Sequence, residues 1–288
     1  MLAFSRIPGN AFSFWIRRTL RWSRGAPALP HEPKADLFDY LPKPAEGQAR
    51  EAALRAQYRL QPLYDASTRA LYRKNLYLID ILEQAAAGLP LPMAAARTGA
   101  ESGTLEAMDV GSQDWHYAFG LERWLRFFGG APAGRRVALR GVEVDGYGIY
   151  PDFRSRKDYA GAYVRQTGNS DVTYEVGDIL DVGSGNGAAL DIVTIFYPFV
   201  TRHHLLLWGL PLRFFRPERL LEKAAELIRP GGWLLVFTHT LKEHELFVDL
   251  GKACGRFDLV REGNALSKLV DFHEDVEDRR FSVWLRTG

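Results

Sequence analysis

Cysteine is nearly missing from this chain: 288 residues hold one, Cys254. That excludes an internal disulfide and a cysteine-rich zinc site, and it fits a reducing, cytoplasmic setting. No run of about 18 apolar residues occurs, so no transmembrane helix is expected. The most apolar stretch, Ile192 to Leu210, is broken by Arg202, His203 and His204. An excess of one charge is lacking as well. The net charge of +2 is too small to point to nucleic acid. Acids are absent from residues 1–25, which carry Arg6, Arg17, Arg18, Arg21 and Arg24. The remaining composition, 47% apolar and 25% charged, is that of a globular chain with one large domain, or one domain and an extension.

Among those arginines lie Phe12, Phe14, Trp15, Ile16, Leu20 and Trp22. The apolar part before Arg17 is too short and poorly flanked for a secretory signal. Two readings stay open. Residues 1–25 form a helix that touches a membrane surface or a protein, or they are a poorly ordered tail whose aromatics pack on the domain. Pro27, Pro30, Pro33, Pro42 and Pro44 then make a linker or an extended strap, closing a first segment at 1–46. From Gly47 to Ala87 the composition turns helical, and Pro62 divides it into two expected helices. The second puts Leu71, Asn75, Leu78 and Leu82 on one face. Gly88, Pro90 and Pro92 end it. Residues 47–100 read as a helical cap whose Tyr58, Tyr64, Tyr72 and Tyr77 serve packing or face a ligand.

The third segment, 101–288, is organised around Leu105 to Asp114, LEAMDVGSQD. It reads as a buried strand entering a tight turn at Gly111. A helix is expected at once, with Ala118, Leu121, Leu125 and Phe128 on one face. A strand, a glycine turn and a helix N-terminus would aim backbone N–H groups at a polar ligand. Further strands are expected at Val137 to Val144, Val172 to Val176, Asp191 to Phe196, Trp233 to Phe237, Phe257 to Val260 and Phe281 to Leu285. Helices fall between them, with Pro217 suited to a helix start. The alternation implies a mostly parallel sheet with helices on both faces and an antiparallel last pair.

Over about residues 101–288 the chain resembles the class I S-adenosylmethionine-dependent methyltransferases. The residues that carry the resemblance are Glu226 to Phe237 (ELIRPGGWLLVF), the acid in GVEVD, the pair Gly177-Asp178 and the turn in MDVGSQD. The resemblance implies a Rossmann-like, mostly parallel seven-stranded sheet with helices on both faces, a helical N-terminal extension and S-adenosyl-L-methionine as cofactor. A second stretch, Ile179 to Gly187 (ILDVGSGNG), matches the family's glycine motif better by letter. About 43 residues separate Gly187 from Pro230, and the family order needs roughly 80 for the elements in between. From Gly111 there are 119. Leu180 to Ala189 is therefore read as the loop between the third and fourth strands.

The resemblance assigns roles. Asp109 and Gly111 would end the first strand, Gly111 letting the backbone approach the methionine part of the cofactor. Ser112, Gln113 and Asp114 stand where the family has more glycine, so the loop takes another path or binds weakly. Gln113 and Asp114 could reach the cofactor's amino-acid end. Glu143, with Asp145 as fallback, would accept the ribose hydroxyls. Asp178 and the Ile179 N–H would meet the adenine. Tyr197, in Phe196-Tyr197-Pro198-Phe199, is a candidate contact, and that stretch lacks the pattern of enzymes that methylate exocyclic amines. His203 and His204, on a loop, are candidate bases, although methyl transfer can proceed by alignment and desolvation alone. Asp271, His273 and Glu274 read as a solvated turn, and no metal is expected. The implied activity is methylation of a small molecule, or of a lipid-like acceptor if residues 1–25 touch membrane. Two rivals remain: a nicotinamide-dependent oxidoreductase, weakened by the missing G-x-G-x-x-G after the first strand, and a non-catalytic Rossmann-like binding protein.

Overall fold

The computed structural model describes residues 2–34, 37–38, 44–89, 92, 103–130, 135–183, 190–267, 269 and 278–288. Four helices come first: α1 (Leu2–Leu20), α2 (Pro44–Gln57), α3 (Gln61–Asp65) and α4 (Arg69–Ala86). Strand and helix then alternate through β1 (Leu105–Val110), α5 (Ala118–Phe127), β2 (Val137–Glu143), α6 (Arg156–Thr167), β3 (Val172–Val176) and β4 (Leu190–Phe196). The chain closes with α7 (Arg202–Leu207), α8 (Pro217–Leu227), β5 (Ile228–Thr238), α9 (Leu241–Cys254), β6 (Phe257–Asn264) and β7 (Arg280–Arg286).

The strands form one sheet in the order β3-β2-β1-β4-β5-β7-β6. Strands β1 to β5 are parallel, and β7 runs antiparallel to both β5 and β6. This is the Rossmann-like sheet that the resemblance implied. Its order reverses between β1 and β4, which opens a crevice at the carboxyl ends of those strands. Both faces are covered, so the central strands are apolar on both sides. Leu105 and Ala107 of β1, with Trp233, Leu235 and Phe237 of β5, face the layer of α4 and α5. Met108 and Val110, with Leu234 and Val236, face α8 and α9. The first of these cores continues without a break into Leu54 and Tyr58 of α2 and Leu76 and Ile79 of α4.

Several expectations needed correction. Pro62 does not separate two helices; it sits in the first turn of α3, where its missing N–H costs nothing, and three helices result. Pro230-Gly231-Gly232 lies within β5, opposite a register irregularity between Leu190 and Ile192, rather than before it. A helix, α7, replaces the expected loop at 202–207. The helix after β1 does not follow at once: α5 starts at Ala118, because Gln113 (φ 54°) and Trp115 (φ 57°) take left-handed backbone. Gly185, Gly187, Asp271, His273 and Glu274 lie outside the described residues. A 3₁₀ turn at Ile179–Asp181 follows β3 and precedes β4, the connection expected for that stretch.

The N-terminus of α5 has no side-chain cap of its own. Asn75, fully buried on α4, supplies one from outside: its Oδ1 accepts the Gly120 N–H at 2.9 Å. Its Nδ2 donates to Leu71 O at 2.9 Å and His116 O at 3.1 Å. The N-terminal helices and the sheet domain are thus joined by a buried polar group, which is costly to leave half satisfied. Asn75→Ala is expected to lower stability by about 1–3 kcal/mol. Thermal unfolding should then show a melting point several degrees lower; an unchanged one would mean water replaces the side chain without loss.

Candidate functional site

The crevice at the carboxyl ends of β1, β2 and β4 holds about 1060 Å³ of empty space, part of it open to solvent. Gly111, Gln113, Glu143, Asp178, Ile179 and Tyr197, six of the sequence-derived candidates, line it together. Asp109 and Ser112 are fully buried beneath it. His203 and His204 are not among its lining residues. They sit on the exposed side of α7, where His204 Nδ1 meets Glu243 Oε1 at 2.6 Å.

Glu143 ends β2 and is 3% exposed. Its Oε2 accepts the Gln113 N–H and its Oε1 the Asp145 N–H, both at 2.8 Å. Burial pushes its carboxyl up, with Arg156 and the two backbone donors opposing. Each oxygen keeps a second lone pair, so the group can still accept from a ligand. Asp145, the fallback, does not line the cleft: Arg17 of α1 and Arg156 of α6 hold it at 3.0 and 3.3 Å. Asp178 caps the 3₁₀ turn through the Leu180 N–H and takes Arg216 Nη2 at 2.6 Å.

The loop after β1 is built around backbone of unusual sign. Gly111 (φ 75°) is left-handed, and a Cβ there would meet no protein atom within 4 Å. The position therefore needs glycine for its dihedral rather than for space within the protein. Gln113 is fixed at both backbone groups, its N–H by Glu143 and its C=O by the Tyr174 hydroxyl. Trp115 is fully buried, with its indole against β2 at Gly141, where a Cβ would come within 2.9 Å. Asp114, expected near the cofactor's amino-acid end, turns away to His116 Nδ1 (2.8 Å) and the Tyr150 hydroxyl (2.9 Å).

A second cavity of about 820 Å³ adjoins the first and shares Gly111, Gln113, Phe196, Tyr197 and His239 with it. Lys74 and Tyr77 of α4, His116, Tyr117 and Arg279 complete its polar lining. Tyr197 and His239 form the partition, with rings stacked 3.7 Å apart and 9° from parallel. Tyr197 holds φ 61°, a strained value for a non-glycine residue, and its N–H donates to Phe237 O at 2.7 Å. Sequence reading missed His239, Arg279, Lys74 and His116. His239 follows directly on β5 and was accessible by the rule that picked Tyr197 after β4. Arg279 was accessible only once β7 was known to run antiparallel, which brings its start to the carboxyl end of β5. Lys74 and His116 carried no signal.

Asp109 underlies both cavities. Its carboxyl accepts from Thr194 Oγ1 of β4 at 2.5 Å and from the Tyr117 hydroxyl at 2.8 Å. Burial pushes its pKa up to about 7, the two hydroxyl donors opposing. The unfolded carboxyl titrates near 3.9. Between about pH 4 and 7 the native state holds on Asp109 a proton that the unfolded state has lost, so the contribution of this group to stability falls as pH rises, by about 1.4 kcal/mol per unit. Asp109→Asn has no such proton to lose. Its stability relative to wild type should rise from pH 4 to 7 and level off above, as followed by urea unfolding. A difference independent of pH would refute the raised pKa.

No protein-family profile matches the chain, and no curated protein matches it. Among solved structures it is similar to TrmN from Thermus thermophilus, with 16% identity over 63% of this chain and 44% of that one, at a TM-score of 0.41. It is similar to the N-methyltransferase NodS from Bradyrhizobium japonicum, with 10% identity over 76% and 98% and a TM-score of 0.43. A SAM-dependent methyltransferase from Aquifex aeolicus matches with 14% identity over 75% and 93% and a TM-score of 0.45. The chain spans less than half the length of the Thermus protein. The sheet topology itself establishes the fold, the Rossmann-like fold of class I methyltransferases.

Proposed function

We propose that this protein is an S-adenosylmethionine-dependent methyltransferase acting on a small-molecule acceptor. The observation that carries the proposal is the pair of cavities meeting at Gly111, Gln113, Tyr197 and His239, one for each reactant. In the first, Glu143 would accept the ribose hydroxyls, the backbone of Gly111 to Gln113 would run along the methionine part, and Asp178 with Ile179 would border the adenine. When bound, S-adenosylmethionine supplies a methyl group on a positively charged sulfur. Asp109, buried and hydrogen-bonded, holds β1 and β4 in place below the meeting point.

The second cavity suits the acceptor. Its described lining includes two cations, Lys74 and Arg279, and no carboxylate. The aromatic rings of Tyr77, Tyr117, Phe196 and Tyr197 give it largely apolar walls, a setting that favours transfer to an aligned nucleophile. Such a lining favours a small acceptor that carries an acidic group. Neither His203 nor His204 reaches either cavity's lining, so the protein's part is alignment and desolvation rather than proton removal by those histidines.

Calorimetric titration with S-adenosylmethionine, S-adenosylhomocysteine and NAD tests the proposal. The first two should bind in the micromolar range, and NAD should not. Glu143→Ala, once shown to be folded by its melting curve, should weaken S-adenosylmethionine binding by about tenfold or more, the loss of a hydrogen-bonded charged acceptor. Gly185→Ala should leave binding nearly unchanged. The reverse ranking would place the cofactor at Ile179 to Gly187. NAD binding would favour an oxidoreductase, and binding of neither cofactor a non-catalytic protein.

A further inference from the structure

Helix α1 presents two unlike faces. The inner one is anchored: Phe14 is buried edge-on against Phe214 at 4.9 Å, and Asn10 Nδ2 donates to Leu206 O at 2.9 Å and Leu210 O at 3.3 Å. Arg17 closes the contact on Asp145 at 3.0 Å. The outer face carries Phe12, 64% exposed, Trp15, 59%, and Leu20, 70%, with Trp22 following at 48%. The Phe12 and Trp15 rings lie 6.2 Å apart and pack on each other.

This ridge is not isolated. The Trp22 indole N–H donates to Phe153 O at 2.8 Å, which brings the exposed Phe153 and the turn bearing Ile149 alongside. Helix α7, packed on α1, adds exposed Leu207, and Trp208 follows directly at its end. Of 12 large hydrophobic residues exposed among the described ones, 8 lie in this region, so the exposed apolar surface is concentrated rather than scattered.

The exposed charge beside the ridge is predominantly positive. The first acid of the chain is Glu32, and Arg18, Arg21 and Arg24 are exposed beside the ridge, as is Arg202 on α7. The neighbouring acids are engaged within the protein: Asp152 pairs with Arg154 at 2.9 Å, Asp145 with Arg17 and Arg156, and the buried Asp158 accepts the N–H groups of Arg24 and Gly25. Tryptophan and phenylalanine interleaved with arginine match the boundary of an anionic bilayer, where aromatic rings sit at headgroup level and cations meet lipid phosphates. We infer that the outer face of α1, with Trp22, Phe153 and the exposed edge of α7, docks on an anionic lipid surface. Trp208, Leu210 and Phe214, which line the first cavity, belong to the same region, so docking sets the rim of that cavity next to the bilayer.

The test is co-sedimentation of the full chain with vesicles of phosphatidylcholine, with and without phosphatidylglycerol. Binding should require the anionic lipid and weaken as salt is raised. Phe12→Ser with Trp15→Ser should reduce partitioning by at least about tenfold, since each removes a ring that inserts. Arg18→Ala or Arg21→Ala should each cost about fivefold. The melting point of all three variants should match wild type, because these side chains project to solvent. Failure to sediment with either vesicle would overturn the inference. So would a light-scattering dimer that Phe12→Ser with Trp15→Ser abolishes, which would make the ridge a contact between two copies. The readout is independent of any cofactor or turnover.

Discussion

One carboxylate, Glu143, holds the site together. It ends β2 almost wholly buried and accepts the backbone N–H groups of Gln113 and Asp145, so the loops after β1 and β2 hang from the same side chain. A buried carboxylate is tolerable only with such donors and a nearby cation. Arg156 provides the cation for both Glu143 and Asp145, at 3.9 and 3.3 Å. Asp145 in turn receives Arg17 of α1. A continuous polar chain therefore runs from the N-terminal helix through α6 to the loop that floors the cavity. Charge desolvation at the end of the sheet and the position of α1 are one constraint, not two.

The antiparallel β7 has a comparable reach. In a wholly parallel sheet the residue before a strand lies at the amino end, far from the crevice. Because β7 runs against β5, with Arg280 opposite Thr238, Arg279 arrives beside Tyr197 and Tyr77 instead. The guanidinium lies 5.9 Å from the Tyr197 ring and 5.7 Å from that of Tyr77, positions that order all three side chains. The second cavity is thus assembled from α4, the loop after β1, the ends of β4 and β5, and the start of β7. No single stretch of sequence contains it.

This explains what was legible in advance. The central strands were readable because burial on both faces leaves short apolar runs bounded by turn residues, as in β1 and β4, whereas the edge strand β3 is buried only in part. The helix α8 was readable from Pro217 and its apolar face. The boundary of α5 was not, because its start is fixed by Asn75, 45 positions away in sequence, and by left-handed residues that carry no letter code of their own. The short α7 was hidden because Arg202, His203 and His204 look like a solvated loop, and only the docking of Leu205 and Leu206 on α1 makes the segment helical. For residues 1–25 composition allowed two readings, and the structure decides only that residues 2–20 are a helix. Of the aromatics whose side chains are described, Phe14 alone is packed away. The phase that selects Phe14 is set by α7 and Phe214, neither of which a local pattern could reveal.

The missing glycines after Gly111 bear a related reading. A glycine-rich turn serves two ends, left-handed backbone and close approach, and a sequence motif cannot separate them. Here the left-handed dihedral survives at Gln113 without glycine. Such a conformation costs a non-glycine residue about 1 kcal/mol, and two hydrogen bonds contribute about that much each. Gln113 has those two bonds, from its N–H to Glu143 and to its C=O from Tyr174. Trp115 is likewise left-handed and is held by burial against β2. The turn is therefore kept by tertiary contacts in place of intrinsic backbone freedom. A loop so braced stays where the strand ends put it, with Gly111 and Gln113 on the wall of both cavities. The path of this loop is specified by a carboxylate, a phenol and an indole rather than by a run of glycines.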